Sequence, residues 1–219
     1  MKAIFLSLIM LFSAAQVFAQ TDEERTEMAK SLLDRMSKKN KSYSSIDAKF
    51  TLNVDNKQSQ KKLDYKGTLT VKGDCYVCDL MGTKTFFDGT YTYSYVKEAK
   101  EVTIQEPDTI EEVAVSPTKL FSAYETGYKM RYIEDQKIGN ADCGVVDLYP
   151  TDRNSNFSRI RLTIDKASLQ IKNIVKQCKD GVDYNISVES FKTNRNISDD
   201  EFVFKTKDYP NVEVIDMRD

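Results

Sequence analysis

From Ile46 onward the chain repeats with a period of two. Ala48, Phe50, Leu52 and Val54 alternate with Lys49, Thr51 and Asn53. Beyond a polar loop, Leu63, Tyr65, Gly67, Leu69 and Val71 alternate with Lys62, Asp64, Lys66, Thr68 and Thr70. Successive side chains of an extended chain point to opposite faces, so this pattern gives strands with one wet and one dry face and is incompatible with a helix. It returns in CYVCDL, KTFF, TYTYSYV, GYKMRYI, CGVVDLY, SRIRLTI, LQIKNIVKQC and VDYNISVESF, with turn residues at DG, KAS and KDG. The DG turn reads as the tight hairpin type. An antiparallel meander of about ten or eleven strands is expected.

Two helices interrupt this pattern. Thr21 with Glu24 three residues later makes a capping box, acidic residues fill the first turn, and Met28, Leu32, Leu33 and Met36 form a stripe at helical spacing. Midway through the meander, Ser116 is a cap, Pro117 takes the first helical position, and Leu120, Phe121 and Tyr124 follow at helical spacing. The dry face of so large a sheet must be covered. The helices offer about five turns and about two turns of cover. That is less than the dry positions require, so the surplus implies either a cavity or a flattened sandwich in which the same residues bury one another.

The first residues carry a leader. Lys2, the apolar run AIFLSLIMLF and the small residues before Gln20 form a secretory signal with cleavage expected after Ala19. The apolar run is short of the ~20 residues that cross a bilayer. A periplasmic chain of residues 20–219, forming one domain, is expected. Removing residues 1–19 takes out Lys2 alone, so 31 basic residues stand against 34 acidic ones. That balance speaks against nucleic acid and anionic membranes as main partners.

Histidine is absent. It is the usual general base near neutral pH and the commonest metal ligand, so most hydrolase and metalloenzyme readings lose their central group. The chain is not expected to be an enzyme. Cys75 and Cys78 have the three-residue spacing of redox and zinc sites, but on a strand that spacing sends the sulfurs to opposite faces. Redox pairs open helices, and a four-cysteine zinc site wants a second close pair, whereas Cys143 and Cys178 are far apart in sequence. A structural disulfide and four unpaired thiols both remain open. Tyr91, Tyr93 and Tyr95 share one face of one strand, with Phe87 nearby; they serve either as an apolar wall for acyl chains or as ordinary core.

In order, these pieces resemble the periplasmic lipoprotein carriers of the LolA type and their wider relatives. The resemblance runs through SIDAKFTLNV, YKGTLTVKGD, FFDGTYTYSY, SPTKLF, VVDLYP, FSRIRLTID and the ending DDEFVFK with NVEVID. It implies a mainly β fold with two or three helices: an unclosed antiparallel half-barrel of about 11 strands with the helices covering its concave face. It further implies a monomer that takes the acyl chains of lipoproteins from an inner-membrane ABC exporter to an outer-membrane acceptor, with no cofactor. Carriage of another lipid or glycolipid, and a sensor module on the same fold, are the alternatives. The wall and lid residues so implied are Phe50, Leu52, Leu69, Val71, Phe87, Tyr91, Tyr93, Leu120, Phe121, Met130, Ile160 and Leu162. Where the best-known branch of the family carries, just before a proline, an arginine implicated in holding the lid shut, this chain has Gly73 and Asp74, and the adjacent Lys72 belongs to the other face.

Overall fold

The computed structural model describes residues 21–107 and 126–218. The expected leader at 1–19 and the expected second helix, with Leu120 and Phe121, fall outside the described residues.

Helix α1 (Asp22–Lys41) begins at Thr21, whose hydroxyl accepts from the Glu24 amide at 3.2 Å while the Glu24 carboxylate accepts from the Thr21 amide at 2.9 Å. Acidic residues in its first turn and Lys38, Lys39 and Lys41 in its last complement the helix dipole. Its buried stripe is Ala29, Leu32, Leu33 and Met36. Met28, expected in that stripe, lies one step round the helix and is 36% exposed.

Twelve strands follow: β1 (Ile46–Asn56), β2 (Lys61–Lys72), β3 (Cys75–Leu80), β4 (Thr83–Phe87), β5 (Thr92–Val96), β6 (Glu101–Gln105), β7 (Tyr128–Ile138), β8 (Ala141–Pro150), β9 (Phe157–Asp165), β10 (Ile171–Cys178), β11 (Val182–Thr193) and β12 (Glu213–Asp216). They form one sheet in the order β12-β6-β5-β4-β3-β2-β1-β11-β10-β9-β8-β7, unclosed, with β12 and β7 as its edges. The expected open sheet is present. The expectation of two or three helices is not met among the described residues, which hold one α-helix and two short 3-10 turns, Asp199–Phe202 and Thr206–Asp208. β12 pairs in parallel with β6, and all four of its residues are exposed. It has no dry face for a period-two pattern to show, and backbone pairing alone makes it a strand.

Helix α1 lies against the β7–β10 half of the sheet. Ala29, Leu32, Leu33 and Met36 pack with Tyr132, Val146, Leu148, Ile160, Leu162, Ile164 and Ile171. Gly144 allows this close approach, because a Cβ there would sit 2.6 Å from Leu32 Cδ2. A bulge in β7 between Tyr132 and Glu134 turns two carbonyls towards the helix, and the Arg25 guanidinium donates to both, at 3.1 Å to Tyr132 and 2.8 Å to Ile133. The side of the sheet bearing α1 is here termed the helix face, and the other the back face.

The β3–β6 half is held from behind. Phe204 and Tyr209, from the segment after β11, pack with Phe86, Val102, Tyr93 and Tyr95 on the back face, with the Phe204 and Tyr209 rings 4.5 Å apart. Lys72 secures this segment, donating to Asp199 at 2.6 Å and to the Ile197 carbonyl at 2.8 Å. As the strand alternation requires, Lys72 faces away from α1, so its partner is the carboxyl-terminal segment.

Candidate functional site

Cross-strand register assigns the helix face beyond α1. Phe50 stands opposite Val188 and Gly67, Leu52 opposite Ile186 and Tyr65, and Val54 opposite Tyr184 and Leu63. Leu69 then pairs with Cys78, Val71 with Tyr76, and Tyr76 with Phe87. The result is an apolar strip crossing β11, β1, β2, β3 and β4. Ile46, Val71 and Tyr76 pack at one end with Tyr43, Leu69, Cys78, Phe87 and Phe191 against them. The far end of the Phe50 ring reaches over Gly67, where a Cβ would be 2.3 Å from its Cζ. Phe50, Leu52 and Val71 are buried; Val54, Tyr65, Leu69, Phe87, Tyr184, Ile186 and Val188 are only half-buried, and Leu63 is 51% exposed.

The structure therefore brings Phe50, Leu52, Leu69, Val71 and Phe87 together on one face. Ile160, Leu162 and Met130 are on the same face but belong to the cluster under α1. Tyr93 does not join them. The loop between β4 and β5 is four residues, Asp88 to Tyr91, in place of the expected two-residue turn, and it sets Phe87 opposite Thr92 and Phe86 opposite Tyr93. Tyr93 consequently projects from the back face, packed in the Phe204 cluster, and donates its hydroxyl to Asp88 at 2.9 Å. Tyr91 sits in that loop with the Arg218 guanidinium 4.8 Å from its ring centre. The Asp88 carboxylate shapes the loop by accepting from the Thr90 and Tyr91 amides, both at 2.8 Å.

Tyr184, Ile186, Val188 and Phe191 are wall residues that the sequence reading misses. Their signal is the alternation in YNISVESF, which breaks where a bulge at β11 shifts the register between Lys49 and Phe50, so that Phe191 falls opposite Ala48. Lys176 and Cys178 also reach this face, as neighbours along β10 of Ile174. Among the methionines, Met36 is fully buried, Met130 is half-buried, and Met81 is 55% exposed in the β3–β4 turn.

The thiols are poorly placed for redox work. Cys75 pairs with Lys72 and Cys78 with Leu69, on opposite faces of β3. Burial, helped by Asp79, pushes the Cys78 thiol up to about 11, and burial raises Cys75, Cys143 and Cys178 as well. Near neutral pH they stay protonated, and the thiolate is the nucleophile. Among the described residues no group of three or more metal-ligating side chains is placed to hold a metal ion.

Among the described residues the most buried charge is on the back face of β8. Asp147 is fully buried and accepts from Arg161 Nε at 2.7 Å, from Arg159 at 2.9 Å and from the Tyr149 hydroxyl at 3.1 Å. Burial acts to raise its pKa, but the two guanidiniums outweigh that and hold it below the usual carboxylate range. Two hollows lie away from the apolar strip. One of about 910 Å³ opens among Asp135, Asn140, Asp142, Asp165 and Lys166; another of about 370 Å³ runs between Thr68, Asp79, Lys84 and the segment carrying Glu201 and Tyr209.

The sequence matches the family model described as outer membrane lipoprotein carrier protein LolA over residues 41–205. No curated protein matches it. Among solved structures, an uncharacterized conserved protein from Thermus thermophilus superposes with a TM-score of 0.60 at 12% identity, covering 86% of this chain and 99% of its own. A DUF1329 family protein from Desulfovibrio piger gives 0.51 at 12% identity, with 84% and 98% covered. A LolA superfamily protein from Nitrosomonas europaea gives 0.46 at 11% identity, with 80% and 97% covered. At these identities the likenesses to the first two speak to the fold alone.

Proposed function

Because the chain belongs to the LolA family of outer membrane lipoprotein carrier proteins, we propose that it is a periplasmic carrier whose helix face receives the acyl chains of lipoproteins. The observation that carries this reading is the half-buried apolar strip from Tyr184 and Ile186 through Leu52, Tyr65 and Leu69 to Phe87, which α1 leaves to one side. Each methylene removed from water is worth ~0.8 kcal/mol, so an acylated protein needs such cover to cross an aqueous compartment. A wall of side chains with few polar anchors holds acyl chains without directional bonds, which lets the same surface take up a guest and release it. The finer steps, uptake from an ABC exporter and delivery to an outer-membrane acceptor, belong to the same proposal, as does residence in the periplasm. Among the described residues no helix is long and apolar enough to cross a membrane.

The test is direct. Native mass spectrometry of gently purified protein should show acyl-chain adducts, and delipidated protein should take up a fluorescent fatty acid that a triacylated lipopeptide displaces. Ile186→Asp, which puts a charge on the β11 strand of the strip at a half-buried position, should weaken uptake at least about tenfold, the scale of desolvating an unpaired charge. Protein that purifies empty and also refuses the probe ends this reading.

A further inference from the structure

One position on the apolar strip breaks its chemistry. On β10, Ile174 and Cys178 pack towards the α1 cluster, and Lys176 lies between them on the same face. Register sets Lys176 opposite Ile160 on one side and opposite Tyr184 on the other. Its ammonium sits 4.9 Å from the centre of the Phe157 ring, itself a member of that cluster. The helix-face positions that the register assigns on β11, β1, β2 and β3 are uncharged apart from Lys61, which lies fully exposed at the start of β2. No carboxylate among the described residues pairs with Lys176: the acidic groups of the neighbouring strands β9 and β11 are engaged elsewhere, Asp183 by Lys57 at 2.6 Å, Asp165 by the Ser168 hydroxyl at 2.8 Å and Glu189 by the Thr51 hydroxyl at 2.5 Å. The side chain is half-buried, so part of its water has been removed with only an aromatic ring in return.

A lone half-buried cation at the end of an apolar strip is complementary to an amphiphile whose acyl chain lies along the strip and whose acid group meets the ammonium. We propose that Lys176 is a specificity residue that selects an acyl ligand bearing an anionic head, a carboxylate or a phosphate, over a neutral one. This rests on the acyl-binding strip of the reading above and, because the ester- and amide-linked acyl groups of a lipoprotein carry no free acid, takes the ligand held there to be a lipid with an acidic head. Tyr184, across from Lys176 and half-buried, presents a second polar group at the same end of the strip. A charge-assisted hydrogen bond formed where part of the water is excluded is stronger than a neutral one, and both partners are better satisfied together than apart.

The experiment compares binding of a fluorescent fatty acid with that of its methyl ester, and of phosphatidic acid with diacylglycerol, to the full protein and to Lys176→Met and Lys176→Arg. Methionine keeps the length of the apolar stem and removes the charge, and arginine keeps the charge. The native protein should prefer each acid over its neutral counterpart by about tenfold or more, the scale of one charge-assisted hydrogen bond. Lys176→Met should erase that preference by weakening the acids alone, and Lys176→Arg should retain it. Preference for one pair and not the other identifies carboxylate or phosphate as the head. Equal binding of acid and neutral ligands by the native protein, or a preference that survives in Lys176→Met, overturns the proposal and leaves the carrier reading standing. Failure of the native protein to bind any of the four overturns the proposal, and the carrier reading falls with it where native mass spectrometry also finds the purified protein empty. Circular dichroism and thermal melting of each variant separate loss of the fold from loss of selectivity.

Discussion

Asp147 shows how one residue can be costly and structural at once. Its carboxylate is fully buried, and two arginines with 24% and 31% of their side-chain surface exposed hold it from the rim. Replacement by asparagine keeps the shape but leaves the guanidiniums facing a neutral amide, and should cost about 1–3 kcal/mol at neutral pH, at the lower end for a buried pair because the arginines retain water. The pH dependence follows from the lowered folded pKa. A group of this kind contributes stability that is present above its unfolded value of about 3.9 and lost as pH falls through the folded value. Urea titrations of the native protein and Asp147→Asn should therefore differ most near pH 7, and converge as the pH is lowered below about 4. A difference that stays constant down to acid pH would remove the ionised carboxylate from the account. The network was not legible in the sequence. Asp147, Arg159 and Arg161 read as ordinary wet-face residues of VVDLY and SRIRLTI, and only the pairing of Asp147 with Arg161 across β8 and β9 brings them together.

At the scale of elements, the sequence was most informative where one face is dry and the other wet. The strip on β1 and β2 and the buried stripe of α1 came directly from their periods of two and 3.6, because burial on one side leaves that imprint. It was least informative at the β4–β5 hairpin. Alternation shows that Tyr91, Tyr93 and Tyr95 share a face but carries no sign for which face, and the length of the loop from Asp88 to Tyr91 decides it. Both faces are apolar there, since Phe87 serves one and Phe86 with Tyr93 the other, so the pattern had no wet side to orient it. β12 escaped for the opposite reason, having no dry side at all. For α1, the docking is apolar and close: Leu33 is fully buried in the contact with the sheet. Leu33→Ala should destabilise the protein by about 2–5 kcal/mol in chemical denaturation, the range for a buried leucine that leaves a cavity. Thr21→Ala, which removes the cap but no packing, should cost about 1 kcal/mol. If both cost the same, the helix is held by its own end rather than by the sheet.

Taken as a whole, the molecule is one open sheet with cover on different sides of its two halves: α1 on the helix face of β7–β10, and the segment bearing Phe204 and Tyr209 on the back face of β3–β6. Phe204→Ala should cost about 3–5 kcal/mol by unpacking that second cluster. Under conditions where the variant is folded, its affinity for an acyl probe should match that of the native protein, since the ring lies on the side away from the strip. Coupled loss of both would place the probe on the back face. The anchoring of the carboxyl-terminal segment by Lys72 has a further consequence for how such a chain can vary. With the β3–β6 half braced from the rear, the frontal side chains of that half are relieved of holding the scaffold together. On the carrier reading proposed above, substitutions at Leu69, Cys78 or Phe87 would alter which acyl chain is held while the frame stays intact, so that one architecture can be refitted for different passengers.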